Sequence, residues 1–233
     1  MIQFEKLPYP LLIAGHIILT IFMIALPFLI PLFFYAAICY FGLRVLLQKD
    51  TGQEALLACA YLVTLEVFLR MNSALIFYEF MKYLVIIFMV LGIVMRGFSL
   101  KSIPYVFYLL LLVPSIVIAA GNIPIGESLR KAVAFNLSGP VTLGITAIYC
   151  YQRPIKSARL DQILKLAVGP IVMTTTYLFL VTPDIRDVVT NTVSNFATSG
   201  GYGPNQVATV LGIGMFITFV RFLRVKNLWI NVL

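Results

Sequence analysis

The chain has 233 residues, of which 61% are hydrophobic and 11% charged, and its mean hydropathy is +1.00. A soluble domain carries about 45–50% apolar and about 25% charged residues. The apolar excess is more than one core can absorb, which excludes a soluble enzyme, a DNA-binding domain and a disordered chain.

The apolar stretches run solidly, without the alternation of a transmembrane β-barrel. They predict an all-α fold: a polytopic transmembrane helix bundle of about eight spans, in a single transmembrane domain covering 1–233. The first apolar run, from Leu11 to Leu47, is too long for one crossing, and Pro27 and Pro31 divide it into spans at 10–26 and 29–47. Further spans are predicted at 55–69, 80–95, 103–120, 137–151, 163–181 and 206–222. The N-terminal stretch reads as a retained span because no small-residue cleavage site follows it. Cys39, Cys59 and Cys150 lie inside apolar runs and read as buried small side chains.

The net charge of +8 comes from 17 Lys+Arg against 9 Asp+Glu. These charges sit in short loops between apolar runs, so they report topology and not nucleic-acid binding. With the N-terminus in the cytoplasm and eight crossings, all but five basic residues fall on the cytoplasmic side. The exceptions are Arg70, Lys82, Arg130, Lys131 and Arg186. Topology does not ask for cations there, so these are the candidates for binding.

Glu66 and Arg70 are spaced i,i+4 at the outer end of the third span, and Glu79 and Lys82 i,i+3 at the start of the fourth. Ionisable groups at membrane depth are costly and tend to face a bundle interior or water, although pairing within a helix and snorkelling account for them equally. Arg130 and Lys131 form an adjacent cationic pair after the segment GNIPIGES. Asp184, Arg186 and Asp187 cluster at the start of the longest outer loop, roughly 183–205, where local salt bridging is the plainer account. That loop ends in a glycine-rich turn. Gly200, Gly201 and Gly203 free the backbone, Pro204 suits a first helical turn, and Asn205 and Gln206 open the last span. A helix N-terminus at a membrane boundary favours a phosphate or other anion; the alternative is a plain flexible loop leading into a helix. His16, the only histidine, reads as a satisfied polar group between helices. No metal-ligand cluster, nucleophile–base set or phosphate-binding P-loop can be assembled, so no metal and no cofactor is expected.

The stretch Asn195 to Ala208, NFATSGGYGPNQVA, resembles the motif that opens a mid-chain span in the O-antigen ligase and O-antigen polymerase-like family, particularly in Bacteroidetes-type bacteria. Ala134 to Pro140, AFNLSGP, resembles a second signature at an outer loop entering a span. Phe68-Leu-Arg70 with Tyr78-Glu79 and Lys82-Tyr83 is similar to a third. The resemblance covers roughly residues 60 to 215. It implies the front half of a glycosyltransferase of the GT-C type in the bacterial inner (cytoplasmic) membrane, metal-independent and acting in cell-surface polysaccharide or lipopolysaccharide biosynthesis. Its partners would be a glycan on an undecaprenyl-pyrophosphate carrier, an acceptor glycolipid or glycan on the periplasmic side, and membrane lipids. By matching residues, Arg70, Arg130, Lys131 and Arg186 would hold the pyrophosphate, with Gly201, Gly203 and Asn205 shaping the site. Family members continue into further spans and a histidine-bearing outer loop, so this chain is expected to be an N-terminal part that is inactive alone. The alternatives are a transporter or flippase for a lipid-linked or anionic substrate, and a non-catalytic membrane remnant.

Overall fold

A computed structural model describes residues 4–122, 128–182 and 195–224. Among these residues the fold is all-helical, with no strand. The helices are α1 (Tyr9–Ala25), α2 (Leu29–Gln48), α3 (Glu54–Met71), α4 (Phe80–Arg96), α5 (Ile103–Leu111), α6 (Val113–Asn122), α7 (Leu129–Cys150), α8 (Ser157–Val181) and α9 (Pro204–Arg224). Five segments are long and apolar enough to cross a bilayer: Leu29–Gln48, Leu100–Ile118, Arg130–Cys150, Ser157–Val181 and Ala197–Arg224. Helix α1 is apolar but shorter. These are the helices of a membrane protein.

The local chemistry of each end explains where the helices start and stop. Pro27 separates α1 from α2, and Pro31 falls in the first turn of α2, where a missing N–H costs nothing. Gly97, at φ 76°, closes α4 in a conformation that glycine adopts without strain. The span expected at 103–120 is broken. Helix α5 ends at Leu111 and α6 begins at Val113, because Pro114 cannot donate into the ladder.

Two spans begin earlier than expected. Helix α7 starts at Leu129 and not at 137, and it carries Pro140 in its interior. Helix α8 starts at Ser157 and not at 163, with Pro170 in its interior. The AFNLSGP segment is therefore helical, not an outer loop. Threonine hydroxyls supplement the ladder beside both prolines: Thr142 donates to the Ser138 carbonyl at 2.6 Å and Thr174 to the Pro170 carbonyl at 3.2 Å. In an apolar layer unsatisfied backbone is costlier than a kink, so the helix continues through the proline.

The helices form two compact units. The first comprises α1, the start of α2, most of α3, α8 and α9. Helix α8 packs against α1 and α9, around a core that includes Tyr9, Val67, Ala167, Ile171, Val207 and Ile217. Gly214 lets α9 approach α8: a Cβ there would lie 2.7 Å from Ile171 Cγ2. One end is tied by charge. Arg221 donates to Asp161 at 2.7 Å and lies over the Tyr9 ring at 4.6 Å. Arg159 pairs with Glu5 at 3.5 Å, and Lys165 donates to the Leu7 carbonyl.

The second unit comprises the end of α2, the start of α3, and α4 to α7. Helix α7 packs against α4, α5 and α6. Gly92 and Gly144 make these contacts possible. A Cβ on Gly92 would lie 2.5 Å from the Tyr149 ring, and one on Gly144 2.5 Å from Leu109. No side chain of α5 is buried. Phe107, Leu110 and Leu111 face outward, as lipid-facing residues do.

Candidate functional site

Arg70 stands in the last turn of α3. Its Nε and Nη2 both donate to Glu66 Oε1, at 2.9 and 2.6 Å, and its side chain is only 9% exposed. Two donors on one oxygen hold the guanidinium in a fixed direction. The Arg70 guanidinium also lies 5.8 Å from the centre of the Tyr202 ring, within cation–π range. The first unit therefore brings Arg70 to the glycine-rich turn, although Tyr202 lies 132 positions further along the chain.

That turn is a folded structure. The Asn195 side chain accepts from the Ala197 amide at 2.8 Å, and the Gly201 amide donates to the Phe196 carbonyl at 2.9 Å. The buried Ser199 hydroxyl reaches the carbonyls of Asn195, Phe196 and Tyr202. Gly200 and Gly201 have φ of 67° and 78°, the left-handed region. A Cβ on Gly200 would meet Leu178 and Met71 at 3.3 Å. Gly203 packs under the Gln206 side chain instead of adopting a positive φ. Pro204 is the first residue of α9, as expected, and Asn205 is exposed in the same turn.

In the second unit two of the resembling segments meet. Lys82 Nζ donates to the buried Ser138 hydroxyl at 3.1 Å and lies 6.0 Å from the Tyr78 ring centre. Tyr78 in turn lies 6.0 Å from the Phe135 ring. Arg130 and Lys131 are exposed in the first turn of α7. Arg186 lies outside the described residues.

His16 sits inside the first unit. Its Nδ1 lies 2.7 Å from the Leu12 carbonyl and its Nε2 3.1 Å from the Tyr61 hydroxyl. The ring fills the space over Gly169, where a Cβ would lie 2.5 Å from Nε2. This is a packed polar contact between helices. Among the described residues no three His, Cys, Asp or Glu side chains converge in a metal-binding group.

Sequence reasoning missed a cluster around Asp50 in the second unit. Asp50 is fully buried. Its Oδ1 accepts from the Ala55 amide at 2.9 Å, and its Oδ2 from the Tyr149 hydroxyl at 2.8 Å and Arg153 Nη1 at 3.2 Å. Arg153 stacks on the Tyr149 ring at 4.1 Å. Lys49, Asp50 and Gln53 all have positive φ, a conformation that non-glycine residues hold only when their surroundings enforce it. The sole sequence signal was a polar turn between two apolar runs.

No protein-family model, curated protein or solved structure matches the chain.

Proposed function

We propose that the chain binds the pyrophosphate of a lipid-linked glycan beside the turn at Gly200–Asn205, and that it serves glycan transfer of the O-antigen ligase or polymerase type. The observation that supports this is Arg70, oriented by Glu66 and seated against Tyr202 of the turn that opens α9. An oriented guanidinium and the N-terminus of a long helix both attract phosphate oxygens.

On this reading an acceptor hydroxyl oxygen attacks the anomeric carbon of the donor sugar. The bond from that carbon to the pyrophosphate oxygen breaks, the diphosphate leaves with the electron pair, and the hydroxyl proton passes to solvent. Negative charge grows on the leaving diphosphate, so fixed positive groups there lower the barrier. Arg130, Lys131 and Arg186 would add to the positive field on the periplasmic face of a bacterial inner membrane.

The test uses membranes carrying the protein and a radiolabelled undecaprenyl-pyrophosphate oligosaccharide, with donor binding as the readout. Arg70→Ala is expected to lower donor binding by about 10²-fold, with Arg70→Lys recovering part and membrane insertion unchanged. Equal donor binding by wild type and Arg70→Ala would overturn the reading, as would no donor binding by either.

A further inference from the structure

The loop between α2 and α3, the loop between α4 and α5, and the segment after α7 meet at one end of the second unit. They enclose an open cleft of about 240 Å3, lined by Gln53, Arg96, Phe98, Ser99, Gln152 and Arg153 among others. Two guanidinium groups are fixed in its walls. Arg96 Nη1 donates to the carbonyls of Asp50 at 3.2 Å and Thr51 at 2.8 Å. Arg153 is held through Nη1 by Asp50 Oδ2, through Nη2 by the Gly97 carbonyl at 2.5 Å, and by the Tyr149 ring beneath it. Two buried carboxylates stand at the α2–α3 loop: Asp50, which pairs with Arg153 and accepts three hydrogen bonds, and Glu54, which accepts from the Gly52 amide at 2.9 Å; neither lines the opening, whereas both guanidinium groups do.

Beside this polar cleft stand large apolar side chains exposed to the surroundings. Phe98 is 50% exposed and Leu100 75%, and Ile103 and Ile155 are exposed with them. A cationic hollow edged by apolar residues, where helices leave the apolar layer, matches a ligand with a charged phosphate and a greasy body. A planar guanidinium binds phosphate oxygens in pairs, and basic pockets between transmembrane helices take anionic headgroups.

We infer that this cleft binds a phosphate-bearing anion, with the headgroup of an anionic phospholipid as the ligand that satisfies both its arginines and its apolar rim. It shares no residue with the turn at Gly200–Asn205, and the inference does not depend on glycan transfer.

The experiment titrates the purified full chain, in a neutral detergent, with phosphatidylglycerol, with phosphatidylcholine and with inorganic phosphate, reading bound lipid by native mass spectrometry. Phosphatidylglycerol is expected to bind at least tenfold more tightly than phosphatidylcholine. Arg96→Gln is expected to lose about tenfold in that affinity, as removal of one charge-assisted hydrogen bond does. Lys101→Gln, outside the cleft lining, keeps wild-type affinity. Phe98→Ser, which leaves every charge in place, weakens the lipid but not inorganic phosphate. Equal retention of the two lipids, or an unchanged Arg96→Gln, overturns the site, and so does an equal loss in Lys101→Gln. Millimolar phosphate that displaces the lipid, with Phe98→Ser unaffected, keeps the anion site and overturns the lipid as its source.

Discussion

Asp50 shows how much one residue can carry in a helical membrane protein. Its carboxylate joins the start of α3, the end of α7 and the segment after it through three hydrogen bonds. Removing one partner of a buried ion pair leaves a charge without compensation, at a cost of about 3–5 kcal/mol. Asp50→Asn is therefore expected to destabilise the protein by that amount, and Tyr149→Phe by about 1–3 kcal/mol. Thermal unfolding in detergent checks both, and the double variant should lose less than the sum because the two groups share one network. A Tyr149→Phe protein as stable as wild type would mean that the hydroxyl contributes nothing to holding Asp50. His16 was legible in the sequence as a packed polar group, because it stands within a long apolar run. Asp50 was not, because its partners lie 99 and 103 residues further along the chain.

Prolines and glycines divide into those whose effect is local and those whose effect depends on neighbours. Pro27 and Pro204 act locally, and the helix ends they mark were legible. Pro140 and Pro170 lie inside α7 and α8, since an apolar environment keeps a helix intact through a proline that water would let break. The glycines give an ordered prediction. Gly200→Ala and Gly201→Ala each force a Cβ into the left-handed region, at about 1 kcal/mol. Gly200→Ala costs more because its Cβ also meets Leu178 and Met71, whereas Gly201 faces open space. Gly169→Ala drives a methyl into the His16 ring and is expected to cost about 1–3 kcal/mol. Gly42→Ala, with nothing within 4 Å and no positive φ, stays neutral or stabilises slightly. Unfolding midpoints of the four variants test this order, and a Gly169→Ala variant more stable than Gly42→Ala would contradict it.

At the level of the whole molecule, topology is the property most open to direct test. Within the second unit the α2–α3 loop, the α4–α5 loop and the segment after α7 lie together. Placing Lys49 and Lys101 in the cytoplasm makes Ser73 and Ser128 external. In a variant whose three cysteines are replaced by alanine, single cysteines at 73 and 128 are expected to react with an impermeant maleimide on sealed cells. Cysteines at 49 and 101 should react only after permeabilisation. The opposite pattern would reverse the orientation drawn from the basic residues.

The sequence by itself determined that this is a helical membrane protein, because apolar content and run length act locally and leave no other way to satisfy the backbone in lipid. It placed α1 to α4 within about two residues for the same reason, and it singled out Arg70 and the turn at Gly200–Asn205 by charge and glycine content. Only the tertiary structure decided that Arg70 meets Tyr202, that Lys82 meets Ser138, and that Asp50 gathers Tyr149 and Arg153 beside a cationic cleft. Those contacts join segments far apart in the chain. Close approach at Gly92, Gly144 and Gly214 brings helices together, and no local pattern encodes which helix will fill that space.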